Sequence, residues 1–405
     1  MPYTGKRILL GVTGGIAVYK AAEVARRLTA SGARVKVVMT KAAQEFVGPL
    51  TFQALTGEKV GTTLFGPGAE PLEHVSLGQE VDAIVVVPAT ANLMGKMAAG
   101  LGDDLLTTIL LAATRPTLLC PAMNTEMWGH PAVQENLARL QARGILVMEP
   151  GAGELACGAV GLGRLPEPEV IVEALARLVS RQDLAGLRVL VTAGPTHEDL
   201  DPVRFITNRS TGKQGYAVAR VAWRRGAEVC LVSGPSALAP PYGVELVPVN
   251  SAAEMLDEVK SRFPEADALL MAAAVGDYRA SQPEKEKIKR GSREMQVTLT
   301  PNPDILKEVS ALRTRQVVVG FAAETQDLMA EARRKLVYKN LDFIVANEVG
   351  RPDSGFAADT NEVCIFAREG VPVRLPLMSK EEVAARILDR VAELLAARGP
   401  EGRGA

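Results

Sequence analysis

The stretch RILLGVTGGIAVYK, residues 7–20, reads as an apolar strand that runs into a glycine loop with a helix beyond it. Val18, Ala21, Ala22, Ala25 and Leu28 recur at helical spacing, and GARVKVVMT then supplies a second apolar run. Strand, glycine turn, helix and strand make one β-α-β unit. RVLVTAGPT (188–196) repeats that grammar, followed by a helical YAVARVAWRRGA and the strand EVCLVSG (228–234). The correspondence continues downstream. VDAIVVVPAT answers ADALLMAAAV, PTLLCPAMN answers RQVVVGFAAET, and GILVMEPGAG answers LDFIVANEV. Each half closes with an amphipathic helix, EVIVEALARLVSR and EEVAARILDRVAELLAARG. Apolar strands alternating with helices bury both faces of a sheet, so the fold class is α/β, with two doubly wound, Rossmann-like domains of parallel type. The seam falls at RQDLAGL, which places the domains at residues 1–185 and 186–405.

The main difference between the halves is a loop. From the first strand to the glycine before the second there are 25 residues in one half (Arg7 to Gly32) and 38 in the other (Arg188 to Gly226). The extra residues fall in HEDLDPVRFITNRSTGKQG, which is polar and basic. Similar folds are therefore expected to carry different sites.

Composition narrows the possible partners. With 46 basic and 47 acidic residues the formal charge is −1, so no global field attracts nucleic acid or an anionic membrane, and any anion site is local. Cys120, Cys157, Cys230 and Cys364 include no C-x-x-C pair, and His74, His130 and His197 do not cluster with them. That pattern argues against a zinc site or a disulfide framework and suits a reducing cytoplasm. The apolar run at the start is too short for a signal segment or a membrane span. A soluble, cytoplasmic protein is expected.

A doubly wound sheet binds its ligand at the carboxyl ends of its strands. In the first half the dinucleotide reading fails twice. GVTGGIA is not G-x-G-x-x-G, and the second strand ends in Met39-Thr40-Lys41 with no acid for a ribose. What remains is a cradle for a single phosphate: amides of Gly14 and Gly15 at a helix N-terminus, with hydroxyls at Thr13, Thr40 and Thr90. A plain strand–helix turn explains the glycines equally well.

GVTGGIAVYK, PATAN, PAMNTEMW and GELACGAVGLGR resemble the flavin-dependent phosphopantothenoylcysteine decarboxylases. TAGPTHEDLDPVRFITNRSTGKQG, AAAVGDY, KIK, NPDIL and GFAAET resemble phosphopantothenate–cysteine ligase. Both sets, in this order, resemble the bacterial bifunctional enzymes of coenzyme A synthesis. The resemblance implies a flavodoxin-like flavoprotein decarboxylase domain followed by a nucleotide-binding ligase domain. The cofactors it implies are FMN and Mg2+, and the small-molecule substrates are 4′-phosphopantothenate, L-cysteine and CTP. It also implies a homo-oligomer, with trimers through the first domain and dimers through the second assembling into dodecamers.

Removing CO2 from a cysteine amide leaves an unstabilised carbanion, so the chemistry needs an electron sink, which a flavin provides. By resemblance His74 is the base, Asn124 binds the carboxylate, Cys157 donates the proton, and Gly14, Gly15, Thr40, Thr90 and Asn92 hold FMN. The glycines around Cys157 would let that segment fold over the substrate as a flap. Asn124 is equally placed to cap the helix that follows it.

Joining a carboxylate to the amine of cysteine requires activating the acid, and the resemblance implies an acyl-cytidylate formed from CTP. No Walker A motif is present, since TNRSTGKQ lacks its leading glycine. By resemblance Lys287 is the catalytic lysine, and Arg204 and Asn208 handle the acyl-cytidylate. Asp277, Asn302, Pro303, Asp304, Ile305 and Phe321 contact the nucleotide, together with Lys335 and Lys339, four apart on one helical face. Gln214 and Gly276 depart from the residues usual in the family. Two other functions fit parts of the sequence, a flavin-dependent decarboxylase of peptide C-terminal cysteines and a non-enzymatic flavin-binding regulatory subunit. A complete ligase half counts against the first, and Asn124 with Cys157 against the second.

Overall fold

The computed structural model describes residues 2–65, 72–154, 158, 160–290, 294–324, 328–348 and 358–399. The chain divides into two compact units, Met1–Ser180 and Arg181–Ala405.

In the first unit the apolar runs become β1 (Arg7–Val12), β2 (Arg34–Met39), β3 (Ala83–Ala89), β4 (Thr117–Pro121) and β5 (Leu146–Val147), in the order β2-β1-β3-β4-β5. All pairings are parallel. Because helices cover both faces, β3 and β4 are buried at every position and β1 at all but its first. The helix Val18–Ala30 turns Val18, Ala21, Val24, Ala25 and Leu28 inward; of the stripe expected from its sequence Ala22 is only half-buried, and Val24, not expected there, is buried instead. An antiparallel hairpin of β6 (Gly151–Glu154) and β7 (Val160–Arg164) follows, and the helix Pro168–Val179 closes the unit. Cys157 lies between the hairpin strands and outside the described residues.

The second unit holds β8 (Arg188–Ala193), the ribbon β9 (His197–Asp199) and β10 (Phe205–Thr207), and then β11 (Glu228–Ser233) and β12 (Glu245–Pro248). Further along are β13 (Ala268–Met271), the ribbon β14 (Tyr278–Ala280) and β15 (Leu299–Pro301), β16 (Val317–Glu324), β17 (Phe343–Glu348), β18 (Thr360–Ala367) and β19 (Val373–Ser379). The large sheet runs β12-β11-β8-β13-β16-β17-β18-β19. Its stretch β11-β8-β13-β16-β17 has the same order as the first sheet, which is the internal repeat legible in the sequence. Two strands not expected from the sequence, β18 and β19, add antiparallel pairings at one edge. The basic insertion, read as a loop, folds as the β9–β10 ribbon, with the rings of His197 and Phe205 stacked at 3.8 Å.

The helices Lys213–Arg224 and Lys380–Arg398 share one apolar cluster and are pinned by ion pairs. Arg220 and Arg224 both reach Glu381, at 3.0 and 2.7 Å, and buried Arg225 bridges Asp183 (2.6 Å) and Asp389 (2.9 Å).

Candidate active sites

In each unit the loops at the carboxyl ends of the central strands enclose a cavity, at the switch point where strand order reverses. The first measures about 1200 Å³ and is lined from every loop the sequence pointed to: Gly14 and Gly15 after β1, Thr40 after β2, Thr90 and Asn92 after β3, and Asn124 after β4. Three of the polar side chains among these are anchored as caps. Thr40 accepts from the Ala43 N–H (3.3 Å), Thr90 from the Leu93 N–H (3.3 Å), and the Asn124 Oδ1 from the Glu126 N–H (2.8 Å). Capping and cavity lining therefore hold together for Asn124, because the cap fixes its rotamer. The Thr13 hydroxyl donates to the Pro88 carbonyl at 2.7 Å and clips the glycine loop to the end of β3.

The glycine loop is set against its neighbour. A Cβ on Gly14 would fall 2.5 Å from the Ala42 Cβ, whereas one on Gly15 would meet nothing closer than 3.9 Å. The helix behind the loop has no side-chain cap and no acid in its first turn, so the positive end of its dipole favours an anion at the loop, although the Val18 and Lys20 N–H groups already donate to the Gly15 and Ala17 carbonyls, both at 3.0 Å. These features fit the phosphate of an FMN. Lys96, on the helix Ala91–Ala99 that begins within PATAN, is tied to Asp103 at 2.8 Å.

His74 stands half-buried on the helix Glu73–Gln79 and does not line this cavity. Lys20 is a lining residue that sequence reasoning missed. It is buried, and its Nζ donates to Glu167 (3.0 Å) and to the Leu165 carbonyl (3.4 Å), just past the β6–β7 hairpin. That hairpin's root is tight, since a Cβ on Gly163 would lie 2.2 Å from the Met123 carbonyl oxygen. The available signal was a charge among the buried positions of an amphipathic helix, Val18, Ala21 and Val24.

The second cavity measures about 450 Å³. It gathers Asn208, Asp277, Asn302, Pro303, Asp304, Ile305, Phe321, Lys335 and Lys339. Asn208 donates to the carbonyls of Ala274 and Val275 (both 3.1 Å), and Asn302 donates to that of Gly276 (2.8 Å). Asp304 caps the helix Ile305–Ser310 and pairs with Lys339 at 3.1 Å.

Lys287 and Arg204 do not line this cavity, and Lys287 is exposed. Arg204 is nevertheless tied to the segment that carries Lys287 through Asp201, which sequence reasoning missed. The Asp201 side chain is fully inaccessible and accepts from the N–H groups of Val203 (2.7 Å), Arg204 (2.8 Å) and Ile288 (3.1 Å) and from the Arg204 guanidinium (2.5 Å). Burial pushes its carboxyl pKa up, but these donors outweigh burial and hold it at about 2. Arg204 also donates to the Ile288 carbonyl at 3.0 Å, so it is stitched to the segment beside Lys287. The acid three residues before an arginine in LDPVR was the readable clue.

Comparison with known proteins settles the family. Residues 184–395 match the family described as DNA/pantothenate metabolism flavoprotein C-terminal domain, and residues 2–180 match the family described as Flavoprotein. The chain is 47% identical over 394 residues to the coenzyme A biosynthesis bifunctional protein CoaBC of Bacillus subtilis, covering 96% of this chain and 97% of that one. The chain belongs to the CoaBC family. The CoaBC of Mycobacterium bovis is also 47% identical, over 408 residues, with 96% of this chain and 97% of the relative covered. A crystal structure of the C-terminal domain of a CoaBC protein aligns with a TM-score of 0.47 at 41% identity, covering 53% of this chain and 99% of that chain. As a CoaBC family member the chain is a bifunctional enzyme of coenzyme A biosynthesis, with decarboxylase and ligase activities. Among the described residues no helix is long and apolar enough to cross a membrane.

Proposed function

We propose that this chain catalyses two consecutive steps of coenzyme A synthesis. Residues 186–405 join 4′-phosphopantothenate to L-cysteine with CTP, through an acyl-cytidylate. Residues 1–185 then decarboxylate phosphopantothenoylcysteine to 4′-phosphopantetheine. The observation that carries this reading is that the cofactor-cradle residues and Asn124 of the first half, and the nucleotide-motif residues and Asn208 of the second, each converge on a cavity at the same point of two similarly ordered sheets. A peptidyl-cysteine decarboxylase would have no use for the second cavity, and a non-enzymatic flavin subunit would have none for Asn124 at the first.

In the decarboxylase unit the backbone amides of Gly14 and Gly15 would hold the phosphate of FMN, with Thr40, Thr90 and Asn92 around it. FMN, when bound, supplies the electron sink that loss of CO2 requires. Asn124, with its Oδ1 fixed on the Glu126 N–H, holds the substrate carboxylate. His74 acts as base, and Cys157 returns a proton to the substrate carbon.

In the ligase unit the carboxylate of phosphopantothenate attacks the α-phosphorus of CTP and expels pyrophosphate. The amine of cysteine then attacks the acyl carbon and expels CMP. Asp277 reads the cytosine amino group, while Asn302 to Ile305 and Phe321 bind the nucleotide, with Lys335 and Lys339 beside its phosphates. Lys287 offsets the charge that develops as pyrophosphate leaves, and Arg204 and Asn208 orient the acyl-cytidylate. Asp201 is the positioning residue that keeps Arg204 and the Lys287 segment together. Mg2+ arrives with CTP, because it keeps most of its waters and binds through substrate phosphates. The same reading places the chain in the cytoplasm as a homo-oligomer, trimeric through the first domain and dimeric through the second.

The test is Cys157→Ser. The variant is expected to retain flavin and the oxidative step but to stall at an enethiol, seen by mass spectrometry as a decarboxylated product two hydrogens short. Normal product at the wild-type rate would refute the assignment.

A further inference from the structure

A further cavity, of about 520 Å³, lies beside the C-terminal half of the helix Leu328–Tyr338. That is an ordinary size for a small-ligand site. Its lining residue Asn340 precedes β17, whereas Asn347, near the other end of that strand, lines the ligase cavity, so the two cavities are distinct. Leu336 and Phe366, both buried, supply apolar wall. Arg333 on the helix and Arg368 in the turn after β18 also line it, and among the described residues no acid does. The neighbouring acids lie outside the lining: Glu331 pairs with Arg334 at 2.7 Å, Asp342 pairs with Arg313 at 2.5 Å, and Glu369, next to Arg368, is exposed.

The helix turns one face to each cavity. Arg333 and Val337 line this one, while Lys335 and Lys339, two positions further on and so about 200° round the axis, line the ligase cavity. The helix ends in a Schellman turn. The Leu341 N–H donates to the Leu336 carbonyl (3.0 Å), the Asn340 N–H donates to that of Val337 (3.2 Å), and Asn340 takes the left-handed conformation at φ 51°. Arg368 is tied to this turn, its Nε donating to the Leu341 carbonyl at 2.8 Å and its Nη2 to the Asn340 Oδ1. Arg313 donates to the Asn340 carbonyl at 2.5 Å, so the helix-end carbonyls that repel an anion are covered. A guanidinium has five N–H donors, and Arg368 keeps others for a ligand.

We propose that this cavity binds a phosphate monoester carried on a small apolar body, and that the bound ligand stiffens the helix Leu328–Tyr338 and so favours nucleotide in the ligase cavity. Two guanidinium groups match the charge of the ester, and the fork of each matches its oxygens. The apolar wall takes the body. A ligand held by Arg333 from the helix and by Arg368 from the β18–β19 turn bridges two elements. Ordering the helix before CTP arrives removes part of the cost of ordering it on binding. The site stands apart from the ligase reading, and its effect on the nucleotide rests on that reading.

Phenyl phosphate is the probe, used on the full-length, flavin-loaded protein, with inorganic phosphate and phenol as its two halves. Equilibrium dialysis at saturating CTP and Mg2+ is expected to show one phenyl phosphate per chain, and binding of either half at least about tenfold weaker. Arg333→Ala should weaken the probe by roughly 10- to 100-fold, and Val337→Trp should block it. Both positions are exposed, so neither substitution disturbs folding. By calorimetry CTP should bind about fivefold tighter or more with the probe present, and the probe tighter by the same factor with CTP present. Amide exchange in residues 328–341 should slow when the probe binds. No binding of the probe to the CTP-loaded protein, or binding that Arg333→Ala leaves unchanged, would overturn the site. CTP affinity that the probe lowers or leaves unchanged would overturn the coupling. Binding of the probe in a protein that takes up no CTP would overturn the ligase reading, and the coupling with it, while the site stands.

Discussion

Gly14 and Gly15 are neighbours in sequence, yet the structure predicts opposite consequences for adding one methyl group. On Gly14 the new Cβ would lie 2.5 Å from the Ala42 Cβ, 2.7 Å from its carbonyl carbon and 2.8 Å from its oxygen. Ordinary contact begins near 3.4 Å, so the loops after β1 and β2 must part by about 1 Å. Overpacking of that kind costs roughly 1–3 kcal/mol. For a unit of this size each kcal/mol lowers the melting temperature by about 2–4 °C, giving a fall of about 2–12 °C for Gly14→Ala. On Gly15 the nearest atoms, Thr90 Cγ2 and Pro88 Cγ, are at 3.9 and 4.0 Å, so folding loses nothing. That methyl stands at the wall of the cavity, where the loop backbone must approach an anion closely, and it should weaken flavin by roughly tenfold or more. The assays are a thermal melt of the flavin-free full-length protein and a flavin-fluorescence titration. Equal melting losses for both variants, or wild-type flavin affinity in Gly15→Ala, would refute the account of the loop as a cofactor cradle.

Asp201→Asn should slow pyrophosphate release by roughly 10- to 100-fold while leaving decarboxylation of supplied phosphopantothenoylcysteine unchanged, because it frees Arg204 and the Lys287 segment together. Loss of both activities would mean global damage instead. The Asp201 carboxyl is held at about 2, below the ordinary range for aspartate, so its stabilising contribution is complete above that range and is lost as pH falls through about 2. An acid titration of the second unit should therefore show a shallower loss in Asp201→Asn than in the wild type between about pH 4 and 2. Lys287→Gln should lower the rate of pyrophosphate release by on the order of 100- to 1000-fold at saturating CTP and Mg2+, with Lys285→Gln nearly silent. Equal mild effects at the two positions would reduce this segment to a solvated loop.

Much of the fold was legible because strands buried on both faces leave continuous apolar runs, such as AIVVVPA in β3. The antiparallel strands β18 and β19 were not, since burial alternates along β18 and reaches only Leu375 in the edge strand β19, so neither TNEVCIFA nor VRLPLMS is a continuous apolar run. The three-residue strands of the two ribbons are too short to show a period at all. For the candidate sites, polar residues that directly follow a strand could be placed from sequence, and Thr40, Thr90 and Asn124 do line one cavity. Lys20 and Asp201 could not. Their burial is decided by distant partners, Glu167 lying 147 residues from Lys20 and Ile288 lying 87 residues from Asp201. A sequence window shows a charge but not the tertiary contact that makes it functional.

The central claim is that one chain performs both reactions, and a single mass-balance experiment tests it. Purified full-length protein with its flavin is given 4′-phosphopantothenate, L-cysteine, CTP and Mg2+, and all products are quantified by mass spectrometry. The account predicts 4′-phosphopantetheine, CMP, pyrophosphate and CO2 in equal amounts, with phosphopantothenoylcysteine as the transient intermediate. Accumulation of phosphopantothenoylcysteine without decarboxylation, or no CTP-dependent product at all, would contradict it.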